Sequence, residues 1–244
     1  MTLPGQTMPP EGVVALIPSP LNGPLVWAPV SRALRTRGLR TLVADLEDDP
    51  GSSAPYWVQH ADSVARKLAW LQAEQPVILV GHSGTGPLLP AIGAFSSHPI
   101  GGYLFVDAGL PAPGQSRLQE MEATLPEFAA ELRQRLDAGG RFPEWTDEEA
   151  REILPDEGLR RGILAELRPR AQDFFTQPFP SFSTWPDAPC GYIRFSPAYD
   201  EPAAQARTQG WAHREFQAGH FHMVVDPAAV ATAILDLIQE WTEK

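Results

Sequence analysis

Residues 76–86, PVILVGHSGTG, are the strongest indication of the fold of this chain. Four consecutive apolar residues, which favour a buried β-strand, run directly into a turn of small residues with Ser83 at its tip. A strand that ends in such a turn before a helix is typical of a nucleophile elbow, in which the serine hydroxyl is exposed above the sheet. The pattern G-x-S-x-G is imperfect here, because Thr85 occupies its last position and glycine follows at Gly86.

The composition of the 244 residues is that of a soluble globular chain, with 43% hydrophobic and 20% charged residues. Its 30 acidic residues outnumber 19 basic ones, and the formal charge of -11 argues against a nucleic-acid or anionic membrane surface. The N-terminal dozen residues lack the basic and apolar regions of a secretory signal. A single cysteine, Cys190, excludes an internal disulfide, so we expect a cytoplasmic protein.

Apolar runs of strand length alternate with stretches of helical periodicity along most of the chain. The patterns predict strands at 13–19, 40–46, 77–81, 101–106, 191–195 and 214–216, and helices at 25–37, 56–74, 84–95 and 228–241. Such alternation implies right-handed crossovers and a mainly parallel sheet with helices on both faces, an α/β architecture. Ligands of such sheets bind beyond the carboxyl ends of the strands, where Ser83 falls.

The alternation stops between residues 109 and 186, where short amphipathic helices lead into an aromatic, proline-rich segment. We predict that residues 109–186 form a helical cap over the rim of the sheet, and that residues 1–108 and 187–244 form the core. Six aromatic residues of the cap are expected to line an apolar pocket or to form the cap's own small core: Trp145, Phe174, Phe175, Phe179, Phe182 and Trp185.

A serine hydroxyl is a poor nucleophile at neutral pH and needs a base within hydrogen-bond distance. The candidate base is His220, in a glycine-containing loop before the last helix, whereas His222 is interpreted as a partner of the loop or cap. His82 is expected to point away from the tip of the turn and to pack. No metal or cofactor is predicted, because no cluster has metal-ligand spacing and no glycine-rich phosphate loop follows the first strand.

The base in turn needs a carboxylate that fixes its tautomer and stabilises its charged form. Two aspartates qualify. Asp200 ends the segment GYIRFSPAYD, and Asp107 ends the strand that follows the elbow helix. Either can reach the histidine loop from the end of a strand; Asp200 is preferred, and Glu201 is a minor alternative.

With these residues assigned, the chain resembles a small, capped bacterial serine hydrolase of the α/β-hydrolase superfamily. The order Ser83, acid, His220 is that of the family, and the segments W-x-x-V at 27–30 and GHFHMVVDPAAVA at 219–231 are further resemblances. The resemblance implies an α/β-hydrolase fold over nearly the whole chain and is weakest in the cap. It favours Asp200, because the family acid often follows the strand after the cap, while members that use the preceding strand keep Asp107 open.

The loop after the first strand departs from the family pattern, in which a His-Gly pair precedes the residue that donates a backbone N–H to the oxyanion. Here the donor position falls on Pro20, which has no N–H. Gly84 is the second donor, and Leu21 or the side chain of Asn22 could replace the missing one. The sequence therefore predicts either a rearranged oxyanion hole or a reaction that depends less on it.

The resemblance implies a hydrolase that cleaves an ester or thioester through an acyl-enzyme at Ser83, with His220 as base and Asp200 orienting it. The expected partner is a small-molecule substrate with an acyl or aromatic moiety, and no nucleic acid or membrane. Two alternatives stay open: non-hydrolytic chemistry at the same site, such as cyclisation, lyase or acyl-transfer steps in a biosynthetic pathway, or a non-catalytic ligand-binding role. The substrate and the oligomeric state are not determined by the sequence.

Overall fold

The computed structural model describes residues 12–72 and 74–242. Within this range, six parallel strands form one sheet in the order β2-β1-β3-β4-β5-β6. The strands are β1 (Val13–Ile17), β2 (Arg40–Val43), β3 (Val77–Ser83), β4 (Ile100–Ala108), β5 (Cys190–Arg194) and β6 (Ala212–Glu215). The predicted parallel α/β sheet is thereby confirmed. The prediction about a secretory signal concerns residues that lie outside the described range.

Helices cover both faces of the sheet. The α-helices of the described residues are α1 (Ala28–Thr36), α2 (Tyr56–Leu68), α3 (Leu89–Phe95), α4 (Arg117–Thr124), α5 (Pro126–Asp137), α6 (Asp147–Ala150), α7 (Glu157–Ala165), α8 (Gln172–Thr176), α9 (Asp200–Thr208), α10 (His222–Val225) and α11 (Pro227–Thr242). None of these helices combines the length and the apolar character needed to cross a membrane.

Alternation of side chains along the strands builds two apolar layers. In β1, Val14 and Leu16 face the layer that contains α1 and α11, whereas Ala15 and Ile17 face the layer of α2 and α3. Successive side chains of a strand point to opposite faces, and all five residues of β1 are buried, as expected for a central strand covered by helices on both faces.

The order of the strands determines where a ligand can bind. The chain passes from β1 to β2 on one side and then returns to β3 on the other, so the carboxyl ends of β1 and β3 border the crevice at the switch point. Ser83 ends β3, and the loop after Ile17 leaves β1 beside it. The fold therefore brings the serine and the first loop to one rim.

Five helices, α4 to α8, are inserted between β4 and β5, where the sequence predicted a cap. Two of them begin with capping boxes, formed by Ser116 with Gln119 and by Thr146 with Glu149. A separate apolar cluster holds the insertion together: Leu118, Leu132, Leu136, Phe174 and Phe175. The division into a core of residues 1–108 and 187–244 and a cap of residues 109–186 stays a prediction.

Helix α9 has no counterpart among the predicted elements. The sequence placed Asp200 at the end of a strand and its loop, but β5 ends at Arg194 and Asp200 is the first residue of α9. The segment DEPAAQART contains the signal that was missed, because acidic residues in a first turn followed by alanines favour a helix.

The elbow is packed so closely that one glycine has no room for a side chain. A methyl group at Gly86 would lie 2.0 Å from the carbonyl oxygen of Gly109 and 3.0 Å from Cβ of Ala108. Both contacts are with the segment that ends β4, whose position is determined by its pairing with β3. The glycine one residue beyond the family pattern is therefore a packing requirement of this elbow.

We expect Gly86→Ala to lower the free energy of unfolding by about 2–4 kcal/mol, because the added methyl group overpacks a rigid junction. Gly51→Ala is the matched control, since its new methyl group would meet Asp49 Oδ1 at an ordinary 3.5 Å. Urea unfolding of the three proteins checks the expectation. Equal stabilities for the two variants would contradict it.

Candidate active site

Ser83 has the backbone conformation of a residue at the tip of a sharp turn. Its φ is +57°, in the left-handed region that residues with a side chain rarely adopt. A short 3-10 turn over Gly86–Leu88 follows, and then α3 begins. The hydroxyl of Thr85 donates to the carbonyl oxygen of Pro18, so the threonine that departs from the family pattern ties the elbow to the loop after β1.

His220 lies in the loop between β6 and α10, and its Nδ1 donates to Oδ2 of Asp107 over 2.7 Å. Asp107 is fully buried at the carboxyl end of β4. Its carboxylate also accepts the backbone N–H of Phe195 at 2.7 Å and both the N–H and the hydroxyl of Ser196 at 2.9 and 2.7 Å. Because Nδ1 is engaged, Nε2 is the nitrogen of His220 that is left for chemistry.

Asp200, the residue preferred as the acid, bonds to Arg194, whereas His220 bonds to Asp107, so the preferred assignment is corrected. Its carboxylate pairs with the guanidinium of Arg194, and the Asp200 side chain is 61% exposed. The reason is α9, whose first residue is Asp200, so that the carboxylate turns back to β5 instead of reaching His220. Glu201, the minor alternative, is exposed and bonds to Gln205 one turn further along the same helix.

Tyr199 contacts both the serine and the histidine. Its ring stacks on His220 with a centroid distance of 5.2 Å and an interplanar angle of 9°, and its hydroxyl lies 3.2 Å from Oγ of Ser83. Burial raises the pKa of Tyr199, so the phenol stays protonated. Sequence analysis missed this residue, because a tyrosine in a loop after a strand carries no signal of such a contact.

The two other histidines near the site have packing roles. His82 is fully buried, and its Nε2 lies 3.1 Å from the backbone carbonyl oxygen of His220, to which it can donate. Burial lowers the pKa of His82 well below its usual value, so the ring is neutral. His222 contacts the rings of Phe195 and Phe216. His82 thus also supports the loop that carries His220, a contact the sequence did not predict.

Two backbone N–H groups of the loop after β1 donate hydrogen bonds within the loop itself. The N–H of Leu21 donates to Ser19 Oγ at 3.4 Å, and the N–H of Asn22 donates to the carbonyl oxygen of Ser19 at 3.1 Å. The guanidinium of Arg170 donates to the carbonyl oxygen of Pro20 at 3.1 Å. Pro20, Leu21 and Asn22 all line the cavity beside Gly84. The backbone N–H groups of Leu21 and Asn22 both donate to Ser19, so the side chain of Asn22 stays the candidate for the missing donor.

These residues border one cavity of about 350 Å³ at the rim of the sheet. Ser83 and His220 both line it, together with residues of the insertion. The six aromatic residues were expected to line a pocket or to form the cap's own small core. Trp145 and Phe175 line the cavity, Phe174 belongs to the apolar cluster of the insertion, and the other three pack against the core: Phe179, Phe182 and Trp185. The other apolar residues on its wall include Met121, Leu125, Phe128 and Phe142.

Two charged residues of α4, Arg117 and Glu120, also line this cavity. Burial raises the pKa of Glu120 to about 7, against the opposing effect of the positive charge of Arg117. Burial lowers the pKa of Arg117 to about 9, so its guanidinium stays charged at neutral pH. Sequence analysis missed both residues, because charged residues on an amphipathic helix are ordinarily solvated.

The sequence model of the alpha/beta hydrolase family matches residues 14–233. The chain belongs to this family, and the predicted superfamily is confirmed. No curated protein sequence matches the chain.

Several solved structures share the fold. An extracellular alpha/beta-hydrolase from a Paenibacillus species has a TM-score of 0.71 at 18% identity, covering 93% of this chain and 98% of that one. A pyrethroid hydrolase from Sphingobium faniae has a TM-score of 0.70 at 22% identity, covering 96% and 99%. Tomato methylketone synthase I, complexed with 2-tridecanone, has a TM-score of 0.68 at 17% identity, covering 95% and 99%.

The raised pKa of Glu120 makes the stability of the protein depend on pH. Its folded-state pKa of about 7 lies above the ordinary value of 4.5, so folding favours the neutral carboxyl group, and stability is lost as the pH rises from about 4.5 to 7. We expect Glu120→Gln to remove this loss. Between pH 4 and pH 8, the free energy of unfolding of the variant should therefore rise by about 2–3 kcal/mol relative to that of wild type.

Urea unfolding at the two pH values measures this gain. Glu131→Gln, which changes an exposed glutamate of α5, is the matched control and should follow wild type. A Glu120→Gln variant with the same pH dependence as wild type would show that the carboxyl group ionises freely in the folded protein.

Proposed function

We propose that this protein is a serine hydrolase that cleaves an ester or thioester through an acyl-enzyme on Ser83. The observation that carries the proposal is the arrangement at one rim of the sheet: a serine at a positive φ, lining the same cavity as a histidine whose Nδ1 is bonded to the buried Asp107. Membership of the alpha/beta hydrolase family supports it. So does the likeness to solved structures that include hydrolases.

In the first half of the proposed reaction, Oγ of Ser83 attacks the carbonyl carbon and its proton moves to Nε2 of His220. The Asp107 carboxylate stabilises the imidazolium that forms. When the tetrahedral intermediate collapses, the bond to the alcohol or thiol breaks and the leaving group takes the proton from His220. In the second half, His220 takes a proton from water, the resulting hydroxide attacks the acyl-enzyme, and Ser83 is released with its proton restored.

The hydroxyl of Ser83 is hydrogen-bonded to Tyr199 in the resting arrangement. Attack therefore requires the serine side chain to exchange this bond for one with His220, and catalytic hydrogen bonds of this kind often tighten only when substrate is bound. The ring of Tyr199 covers one face of His220 and limits its rotation during that exchange.

The first experiment measures hydrolysis of p-nitrophenyl esters and acyl-thioesters of graded chain length. We expect activity in wild type and a loss of at least about 10³-fold in Ser83→Ala, since the nucleophile is removed. Ser96→Ala, at the end of α3, is the serine control. A fluorophosphonate should label Ser83 in wild type; equal hydrolysis by wild type and Ser83→Ala would overturn the proposal.

A second experiment tests the proposed acid. Asp107→Asn should lower kcat by about 10³–10⁴-fold, because an asparagine cannot fix the histidine tautomer or stabilise its charge. Asp200→Asn should stay within about threefold of wild type, because Asp200 pairs with Arg194. Circular dichroism confirms that each variant is folded. A large loss in Asp200→Asn with little change in Asp107→Asn would reverse the assignment.

Non-hydrolytic chemistry at the same site is the second candidate function. The observation that favours it is the first loop, in which Pro20 has no N–H and the next two N–H groups donate to Ser19. A reaction that needs only proton transfer by His220 would depend less on an oxyanion hole. One similar structure is named as a synthase. Labelling of Ser83 by fluorophosphonate without cleavage of any ester or thioester would favour this candidate.

A further inference from the structure

Arg117 is a buried cation that lines the same cavity as Ser83. It is the first residue of α4 and is only 4% exposed. Its guanidinium lies over the rings of Phe174 and Phe179, with Cζ 4.3 and 4.7 Å from their centroids. These cation–π contacts hold the guanidinium in place, but they supply no anion.

Two nitrogens of the Arg117 guanidinium have no hydrogen-bond partner. Its Nε and Nη2 are buried without a partner, and no ion pair among the described residues includes Arg117. Among the described residues, the other buried arginines all have a carboxylate partner: Arg160 with Asp147, Arg170 with Asp48, and Arg194 with Asp200. A buried charge without a partner is unfavourable, so Arg117 differs from them by facing a space that a ligand can fill.

Glu120, one turn along α4, shifts the pKa of Arg117 through its charge but forms no direct ion pair with it among the described residues. Its carboxylate packs over Gly109, where a methyl group would lie 2.0 Å from Oε1. Burial raises the pKa of the Glu120 carboxyl group to about 7, so this group carries at most part of a negative charge up to neutral pH. The positive charge of Arg117 therefore stays available to a ligand.

The guanidinium is also close to the nucleophile. A methyl group at Gly84, the residue after Ser83, would lie 4.0 Å from Nε of Arg117. An anionic group bound at this edge of the guanidinium therefore lies only a few bonds away from the carbonyl carbon of the same substrate that Ser83 attacks. Arg117 is the only arginine or lysine among the described residues that line the cavity. The cavity can therefore pair with one anionic group of a ligand.

We propose that Arg117 binds a carboxylate in the acyl part of the substrate. This inference rests on the proposed hydrolase function and narrows its substrates to esters or thioesters whose acyl group carries a carboxylate a few bonds from the scissile carbonyl. The planar fork of the guanidinium matches a carboxylate with two parallel hydrogen bonds. The apolar wall of the cavity, with Met121 and Phe128, then contacts the remaining carbon atoms.

The test compares monomethyl succinate and monomethyl glutarate with the neutral methyl butyrate and methyl valerate, by proton release at constant pH. Wild type should prefer the anionic esters by at least about tenfold in kcat/KM. Arg117→Met should lower kcat/KM for the anionic esters by at least about tenfold more than for the neutral esters, because only the anionic esters lose a charge partner. Arg117→Lys should recover part of the preference, because it keeps the charge without the fork.

Binding separates this inference from the proposed function. Calorimetry with glutarate and Ser83→Ala protein should show binding that the Ser83→Ala, Arg117→Met double variant loses, whether or not any ester is cleaved. Absence of glutarate binding would overturn the inference, as would equal losses on anionic and neutral esters in Arg117→Met. Glutarate binding together with no Ser83-dependent hydrolysis would sustain the carboxylate site and contradict only the hydrolase proposal.

Discussion

The carboxylate of Asp107, fully buried at the end of β4, accepts hydrogen bonds from the end of β5 and from the loop that carries His220. A buried carboxylate is tolerated only when its lone pairs are satisfied, and the backbone and hydroxyl donors of Ser196 together with Phe195 satisfy them here. The same hydrogen bonds fix the positions of the ends of β4 and β5 and of the loop that carries His220 relative to one another. The geometry of the candidate site therefore depends on this one carboxylate.

The loop after β1 is bonded both to the elbow and to the insertion. Thr85 ties its start to the elbow through Pro18, and Arg170 of the insertion binds the carbonyl oxygen of Pro20 while pairing with Asp48. A loop held at both points keeps Pro20, which has no N–H, beside Gly84. The insertion consequently shapes the polar part of the site as well as covering it.

Much of the fold follows from local patterns. The six strands and the elbow were predicted from apolar runs and small residues, because periodicity and turn chemistry act between residues close in sequence. The error at Asp200 has the same origin: the segment was interpreted as the end of a strand, although an acidic first turn and alanines begin α9 there. Which aspartate meets His220 depends on how far each strand and helix extends, and boundaries are the least certain part of a sequence pattern.

The order of strands and helices, the serine at the elbow, the histidine before the last helix and the proline in the first loop can all be inferred from local sequence. Three contacts emerge from the folded chain alone: Asp107 with His220 across 113 positions, Tyr199 stacked on that histidine, and Arg117 at the cavity without a carboxylate partner. The physical reason is that these contacts join residues far apart in the chain. They exist because the order of the strands and the docking of the inserted helices bring those residues to one rim, and no local pattern encodes that placement.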